Sequence, residues 1–388
     1  MTSSGTDPSN RESTPPLPRT SSADDGGEDG FGIGNASPRK TPRTRRKSDI
    51  HDLLPEMLTR HESEGSVFRV LGPGESITDF YSIDESIYAF GAKSVSRCLE
   101  KSTMKRFVVK RRLKDGYGSD VERHWRRVME KLLRAEPNRH IVAIAEVLED
   151  DSAFYIVMEE CNGGQLFDLL LKESSMSTRE LKRIIREILQ AVEFLHDLGL
   201  IHRDIKPENI MLSKDESELV IKLIDFDTCE EIVPRRLSMT VNHGDRLVRR
   251  RSTRIVGTLG YVAPESFNGE YSTASDMFSI GVIFYILMTG DMPFDDSIFH
   301  SKEPENEVDD DFEVVGSPRS KRVQSGLVRS VIDWNISPWP QVPLARDLCQ
   351  KLLEFDPEKR IKTCEDALSH PWLAQGGMSV PPTPSRHN

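Results

Sequence analysis

The chain has 388 residues, of which 37% are hydrophobic and 30% charged, with a net charge of −11. That length allows one large two-part domain with flexible ends, and the negative charge argues against nucleic acid or an acidic membrane as the main partner, because phosphate-rich surfaces demand a basic face. Cys98, Cys161, Cys229, Cys349 and Cys364 lack metal-ligand or disulfide-framework spacing and read as reduced thiols of a cytoplasmic or nuclear protein.

Residues 1–66 are rich in Ser, Thr, Pro, Gly and Asp and bury too little apolar surface to offset chain entropy, so they are predicted disordered. They hold no apolar signal core. A basic cluster, Arg39-Lys40 and Arg43 to Lys47, reads as a solvated charge run, a nuclear localisation signal or a docking site. A lead-in follows at 67–79. From Phe80, alternating apolar residues and glycines predict strands. The spacing of Trp125, Val128, Met129, Leu132 and Leu133 predicts a helix, and Ala153 to Met158 another strand. From Glu180 the pattern is mostly helical, broken by short strands near Ile210 and Ile221. The most apolar run, Phe278 to Met288, is about eleven residues, too short for a bilayer core of about 30 Å, and reads as a buried helix. Val233–Thr253, basic, and Ser301–Lys321, acidic then basic, lack core periodicity and are predicted to be exposed loops. No calcium-binding loop with the required ligand spacing is present. Strands first and helices after predict an α+β fold of two unlike lobes. Residues 374–388 are predicted to be a disordered tail.

The densest chemistry lies in His202-Arg203-Asp204-Ile205-Lys206-Pro207-Glu208-Asn209. Phosphoryl transfer needs a group to orient the attacking hydroxyl, a cation to offset charge on the moving phosphate, and magnesium ligands. Asp204, Lys206 and Asn209 suit these three tasks in turn. The run resembles the protein kinase catalytic loop in order and spacing. Other stretches agree in order: Phe107-Val108-Val109-Lys110, Asp225-Phe226-Asp227, Gly257 to Glu265, Asp276 to Gly281, Asp356 to Arg360 and His370 to Leu373. Gly164 to Asp168, Tyr261 to Glu265 and Leu368 to Leu373 resemble the calcium/calmodulin-dependent kinase group, and the Asp-Phe-Asp triplet resembles that of the MAP-kinase-interacting kinases.

The resemblance implies a bilobal protein kinase fold over 80–373, with a β-rich N-lobe at 80–158, a hinge at 159–161 and a helical C-lobe at 162–373. It implies Ser/Thr phosphotransfer from ATP with Mg2+ to a protein substrate. Lys110 would orient phosphates, Asn209 and Asp225 would hold the metal, and Gly91, Glu159, Cys161 and Met211 would line the nucleotide. Glu265 and Arg360 would form a buried structural pair. Arg203 would hold an activation-loop phosphate, for which Ser252 and Thr253 are the candidates, placed there by an upstream basophilic kinase. Ser37-Pro38, Thr41-Pro42, Ser317-Pro318 and Thr383-Pro384 are candidate MAP kinase sites in flexible segments. Thr258 would support Asp204, and Glu208 or the acidic insert would attract a basic substrate. About fifteen residues after Leu373 leave little room for an autoinhibitory helix.

Four departures from the pattern keep a pseudokinase scaffold as the alternative. Of the phosphate-covering glycines only Gly91 remains, in Tyr88 to Val95, which predicts weakened nucleotide affinity. Counting back without gaps puts Val128 where the family carries the helix glutamate that pairs with the lysine. Glu130 is two residues on, about 200° around a helix, and becomes the candidate if the count slips. Asp227 replaces glycine and is expected to favour an inactive loop position. Val108 replaces a small alanine above adenine.

Overall fold

The computed structural model describes residues 67–90, 93–114, 119–168, 176–215, 218–232, 252–299 and 314–374. The predicted tails, the basic cluster and most of both inserts lie outside these residues, as does Gly91.

A six-stranded sheet forms the N-lobe: β1 Phe68–Val70, β2 Tyr81–Phe90, β3 Lys93–Glu100, β4 Arg106–Leu113, β5 Ile144–Glu149 and β6 Ala153–Glu159, in the order β1-β5-β6-β4-β3-β2. β1 runs parallel to β5, and the other neighbours are antiparallel. The sheet therefore takes in the stretch set apart in the sequence as a lead-in. Its anchor is Phe68, buried against Trp125 and Phe154. Side chains alternate along β4. Phe107 and Val109 pack into one apolar cluster with Tyr81, Cys98, Leu148 and Val157. The alternation turns Val108, Lys110 and Arg112 to the opposite face, with Lys110 opposite Ile156 on β6.

Helix α1, Ile77–Phe80, is one turn closed by a capping box from Ser76. Helix α2, Asp120–Arg134, starts at Ser119, whose side chain accepts from the Glu122 amide. Trp125 and Met129 bury against the sheet, the Trp125 ring tilted against Phe154 with centroids 4.6 Å apart. Val128, three residues on from Trp125, joins the large C-lobe core with Leu223 and Phe226 instead. The helix thus touches both lobes.

The C-lobe core is built on α3, Thr178–Asp197, capped by Ser177 and Glu180, and α4, Thr273–Thr289. α4 contains the apolar run and is buried all round, as a uniformly apolar helix requires. It ends on Gly290 with φ 84°, a conformation that suits glycine. Two two-stranded sheets accompany these helices: β7 Leu200–Ile201 pairs with β10 Glu230–Glu231, and β8 Ile210–Asp215 with β9 Glu218–Leu223. An isolated bridge joins Arg254 to Val314.

The acidic-then-basic stretch is not a loop throughout. Its end opens α5, Pro318–Arg329, where Ser317 accepts from the Ser320 amide and Pro318 takes the first helical position. Proline there forfeits no hydrogen bond, so Ser317-Pro318 is a helix start and not a flexible site. Helices α6 Pro343–Leu352, α7 Cys364–Leu368 and α8 Pro371–Ala374 complete the lobe. No helix among the described residues is long and apolar enough to cross a membrane.

Candidate active site

One buried carboxylate on α4 organises the catalytic loop. Asp276 is 1% exposed and accepts from the amides of His202 and Arg203, each at 2.9 Å, and from His196 Nε2 at 2.9 Å. Burial alone would raise its pKa, but the hydrogen bonds and charge of His196 and the neighbouring His202 hold it below the usual range. Ionised Asp276 thereby fixes the loop to the most buried helix of the lobe. The loop passes through Arg203 with φ 69°, a left-handed backbone costly for a non-glycine residue and sustained by these bonds. His202 is fully buried. Its Nδ1 receives the Asp204 amide at 3.3 Å and its Nε2 lies 3.1 Å from the Ile224 carbonyl.

Asp204 is held from three sides. Thr258 Oγ1 donates to its Oδ1 at 2.7 Å, and Asn209 Nδ2 to its Oδ2 at 3.0 Å and its carbonyl at 2.8 Å. Lys206 Nζ lies 3.2 Å from Oδ2 and donates to Thr258 Oγ1 at 2.6 Å. Asp204, Lys206, Asn209 and Thr258 therefore form one connected cluster. With the Asn209 amide nitrogen turned to Asp204, its carbonyl oxygen is left to face a cation.

Asp225 has φ 62°. Its Oδ1 accepts Lys110 Nζ at 2.6 Å and the Asp227 amide at 3.2 Å, and its side chain is 36% exposed. Phe226 tucks into the C-lobe core against the His202 ring. Asp227, placed in the sequence reading as favouring an inactive loop position, lies 2.8 Å from Lys110 through Oδ2. Trp125 Nε1 donates to its Oδ1 at 3.2 Å and Arg112 approaches at 3.5 Å. Burial would lower the Lys110 pKa, but Asp227 and then Asp225 outweigh it, and the net shift is upward. Among the described residues, the carboxylates paired with Lys110 are these two. Neither Val128 nor Glu130 of α2 takes part.

A six-coordinate magnesium site fits this donor set only in part. Asp225 and Asn209 bring hard oxygens, and no group of three His, Cys, Asp or Glu stands together among the described residues. Phosphate oxygens and water would have to supply the rest, which is the usual manner of magnesium in nucleotide sites.

Of the residues expected to line the nucleotide, Glu159, Cys161 and Met211 fall among the described residues. β6 ends at Glu159, whose Oε1 is tied to Lys222 at 2.7 Å and to the Ala143 amide. Cys161 follows, half-buried, its thiol pushed up to about 12 by burial and the Glu159 charge. Met211 sits below on β8, bridged to Gln165. Val108 faces Met158 across the strands.

Arg203 is already occupied. Its Nε donates to the Thr228 carbonyl at 2.6 Å, its Nη1 lies 3.1 Å from Glu230 Oε2, and its guanidinium sits 5.3 Å above Tyr271. Ser252 and Thr253 lie elsewhere: the Ser252 amide donates to Gly269, and the Thr253 carbonyl receives the Val315 amide. Glu230 and Glu231 were not singled out in the sequence, and Trp125 was read there only as part of a helix's apolar face. The available signal was charge: two adjacent glutamates against His124, Arg127 and Lys131 at helical spacing.

Glu265 and Arg360 form a buried bidentate pair, at 2.7 and 3.0 Å.

Residues 89–373 match the family model for the protein kinase domain. The chain is similar to calcium-dependent protein kinase 19 of Arabidopsis thaliana, 32% identical over 83% of this chain and 53% of the relative. It is similar also to calcium-dependent protein kinase 12 of Oryza sativa subsp. japonica, 31% identical over 80% of this chain and 52% of the relative. It spans about half the length of the curated relatives it matches. The α+β bilobal fold, the connected catalytic cluster and the family match agree: this chain belongs to the protein kinase family.

Proposed function

We propose that this chain is an active serine/threonine protein kinase that uses Mg-ATP. The observation that carries the reading is the Asp204–Asn209–Lys206–Thr258 cluster, in which both Asp204 carboxylate oxygens are hydrogen-bonded and Lys206 lies beside them. An Asp204 carboxylate held at both oxygens can receive the hydrogen bond of a substrate hydroxyl and align it for attack. The oxygen–phosphorus bond forms as the bond to the leaving diphosphate breaks, and the hydroxyl proton passes towards Asp204. Lys206 lies beside Asp204, where charge on the transferred phosphoryl group would develop. Lys110 holds the other phosphates, and magnesium bound by Asp225 and Asn209 would neutralise phosphate charge. Lys206 and the kinship to calcium-dependent kinases favour Ser/Thr acceptors. Calcium dependence is not part of the proposal.

For control, the Arg203–Glu230 pair favours a pocket filled by the chain's own carboxylate over one awaiting phosphate on Ser252 or Thr253. Input from a MAP kinase through Ser37-Pro38, Thr41-Pro42 or Thr383-Pro384, and a cytoplasmic or nuclear location, complete the reading.

The test is transfer of labelled γ-phosphate from Mg-ATP to a peptide library, beside Asp204→Ala. We expect parent activity and a loss of about 10²- to 10⁴-fold in the variant, the usual range for a positioned acid–base group. No transfer by the parent would leave the pseudokinase reading.

A further inference from the structure

We propose that Asp227 is a positioning residue for Lys110, supplying from the loop the carboxylate that the family places on the helix. The inference rests on the kinase reading above and deepens it.

Lys110 projects from β4 between two carboxylates of different character. Asp225 is 36% exposed, and its Oδ1 is shared between the lysine and the Asp227 amide. It also stands as the metal ligand, so it has two claims on it. Asp227 is 8% exposed and is not placed as a metal ligand. Three donors from two elements, β4 and α2, converge on it: Lys110 at 2.8 Å, Trp125 Nε1 at 3.2 Å and Arg112 at 3.5 Å.

Each donor is itself fixed. Trp125 is buried and packs at a tilt against Phe154 and Phe68. Arg112 lies two residues along β4, on the Lys110 face, with its guanidinium 5.0 Å from the Trp125 ring. Asp227 is thus the point where β4, α2 and the Asp225 loop meet. A lysine held only by Asp225 would lose its anchor whenever that carboxylate turned to a cation. With Asp227 present the ammonium stays in place.

The helix makes the same point from its own side. The position that counts to a glutamate is Val128, 1% exposed and packed into the C-lobe core. No carboxylate reaches Lys110 from α2 among the described residues. The backbone allows the exchange: positive φ falls at Asp225 and not at Asp227, so position 227 does not need glycine.

The experiment uses the full chain, with Mg2+ and the fluorescent nucleotide mant-ATP as the binding probe, and peptide phosphorylation as a second readout. Asp227→Asn keeps size and removes charge. We expect it to weaken mant-ATP binding by about ten- to a hundredfold, the scale of a lost charge-assisted contact. The KM for ATP should rise in step while the KM for peptide stays unchanged. A merely structural role would lower the melting temperature and leave nucleotide affinity of the folded protein alone, and that result overturns the proposal. If Asp227→Asn does not fold, Trp125→Phe removes one donor from Asp227 and is read in the same way. Its expected effect is several-fold weaker mant-ATP binding, and unchanged affinity overturns the idea. A parent that binds mant-ATP but transfers no phosphate sinks the kinase function while leaving this affinity comparison decisive. A parent that binds no nucleotide overturns both.

Discussion

At the scale of single residues, Arg360 shows how much of the molecule one buried charge can hold. Its side chain is fully buried, and it gives both outer nitrogens to Glu265. It also reaches the carbonyls of Ala274 at 2.7 Å and Glu354 at 2.6 Å. Removing the guanidinium leaves a buried carboxylate and several carbonyls without their donor. Arg360→Leu is therefore expected to destabilise the fold by about 3–5 kcal/mol, the usual cost of breaking a buried pair from one side. Urea denaturation measures it, and a loss below about 1 kcal/mol would mean that water replaces the arginine. The loop from His202 to Asn209 was legible in the sequence, because its residue types sit at fixed spacing within one short run, whereas the Glu265–Arg360 pair was expected only from the family resemblance. The second partner of Lys110 was not legible. It depends on residues 110, 112, 125 and 227 meeting in space, and no local pattern encodes that encounter.

At the scale of elements, the two-residue strand β10 matters more than its length suggests. Glu231 pairs with Arg127 at 2.9 Å and Lys131 at 3.1 Å, one turn apart on α2. Glu230 lies 3.1 Å from Arg203 and 3.5 Å from His124. The strand therefore fastens the N-lobe helix to the catalytic loop, the connection that an activation-loop phosphate would otherwise make through charge-assisted bonds. Two results should follow. Phosphatase treatment of the purified protein should leave its activity within about twofold, as no new charge is needed at Arg203. Glu230→Gln should lower kcat by about tenfold, the equivalent of one charged hydrogen bond. Activity lost on phosphatase treatment and spared by Glu230→Gln would restore the phosphate model. The helices were readable from caps and apolar spacing, as at Ser119 and Ser177. A two-residue strand has no periodicity to read, and the helix at Pro318 was masked by the charged composition in front of it.

At the scale of the whole molecule, each lobe carries buried ionised or neutral titratable groups, and these set the response to acid. Glu149 on β5 is held below its ordinary pKa: burial would raise it, but the bonds from Arg126 and Lys114 prevail. Asp276 is depressed for the reasons given above. His140, beside β9, is lowered chiefly by burial. All three bind protons more readily unfolded than folded, so unfolding takes up protons and stability falls as pH falls. The His140 contribution goes first, as pH drops through about 6.5, the unperturbed histidine value. The carboxylate contributions are complete above their unfolded values near ~4 and vanish as pH falls through the lower folded ones. Protonating Asp276 also removes the acceptor that fixes His202 and Arg203, so the catalytic loop should come loose in the second window. Urea midpoints at a series of pH values from 8 to 3 (chosen to bracket both windows; roughly the span over which these groups titrate) should decline in two steps. Trp125 fluorescence and phosphotransfer, followed together, should separate them: a modest shared loss in the first step, and activity falling ahead of global unfolding in the second. A midpoint that rises between neutrality and the first window would show that His140 gains a proton on folding, and would reverse the sign argued for it here.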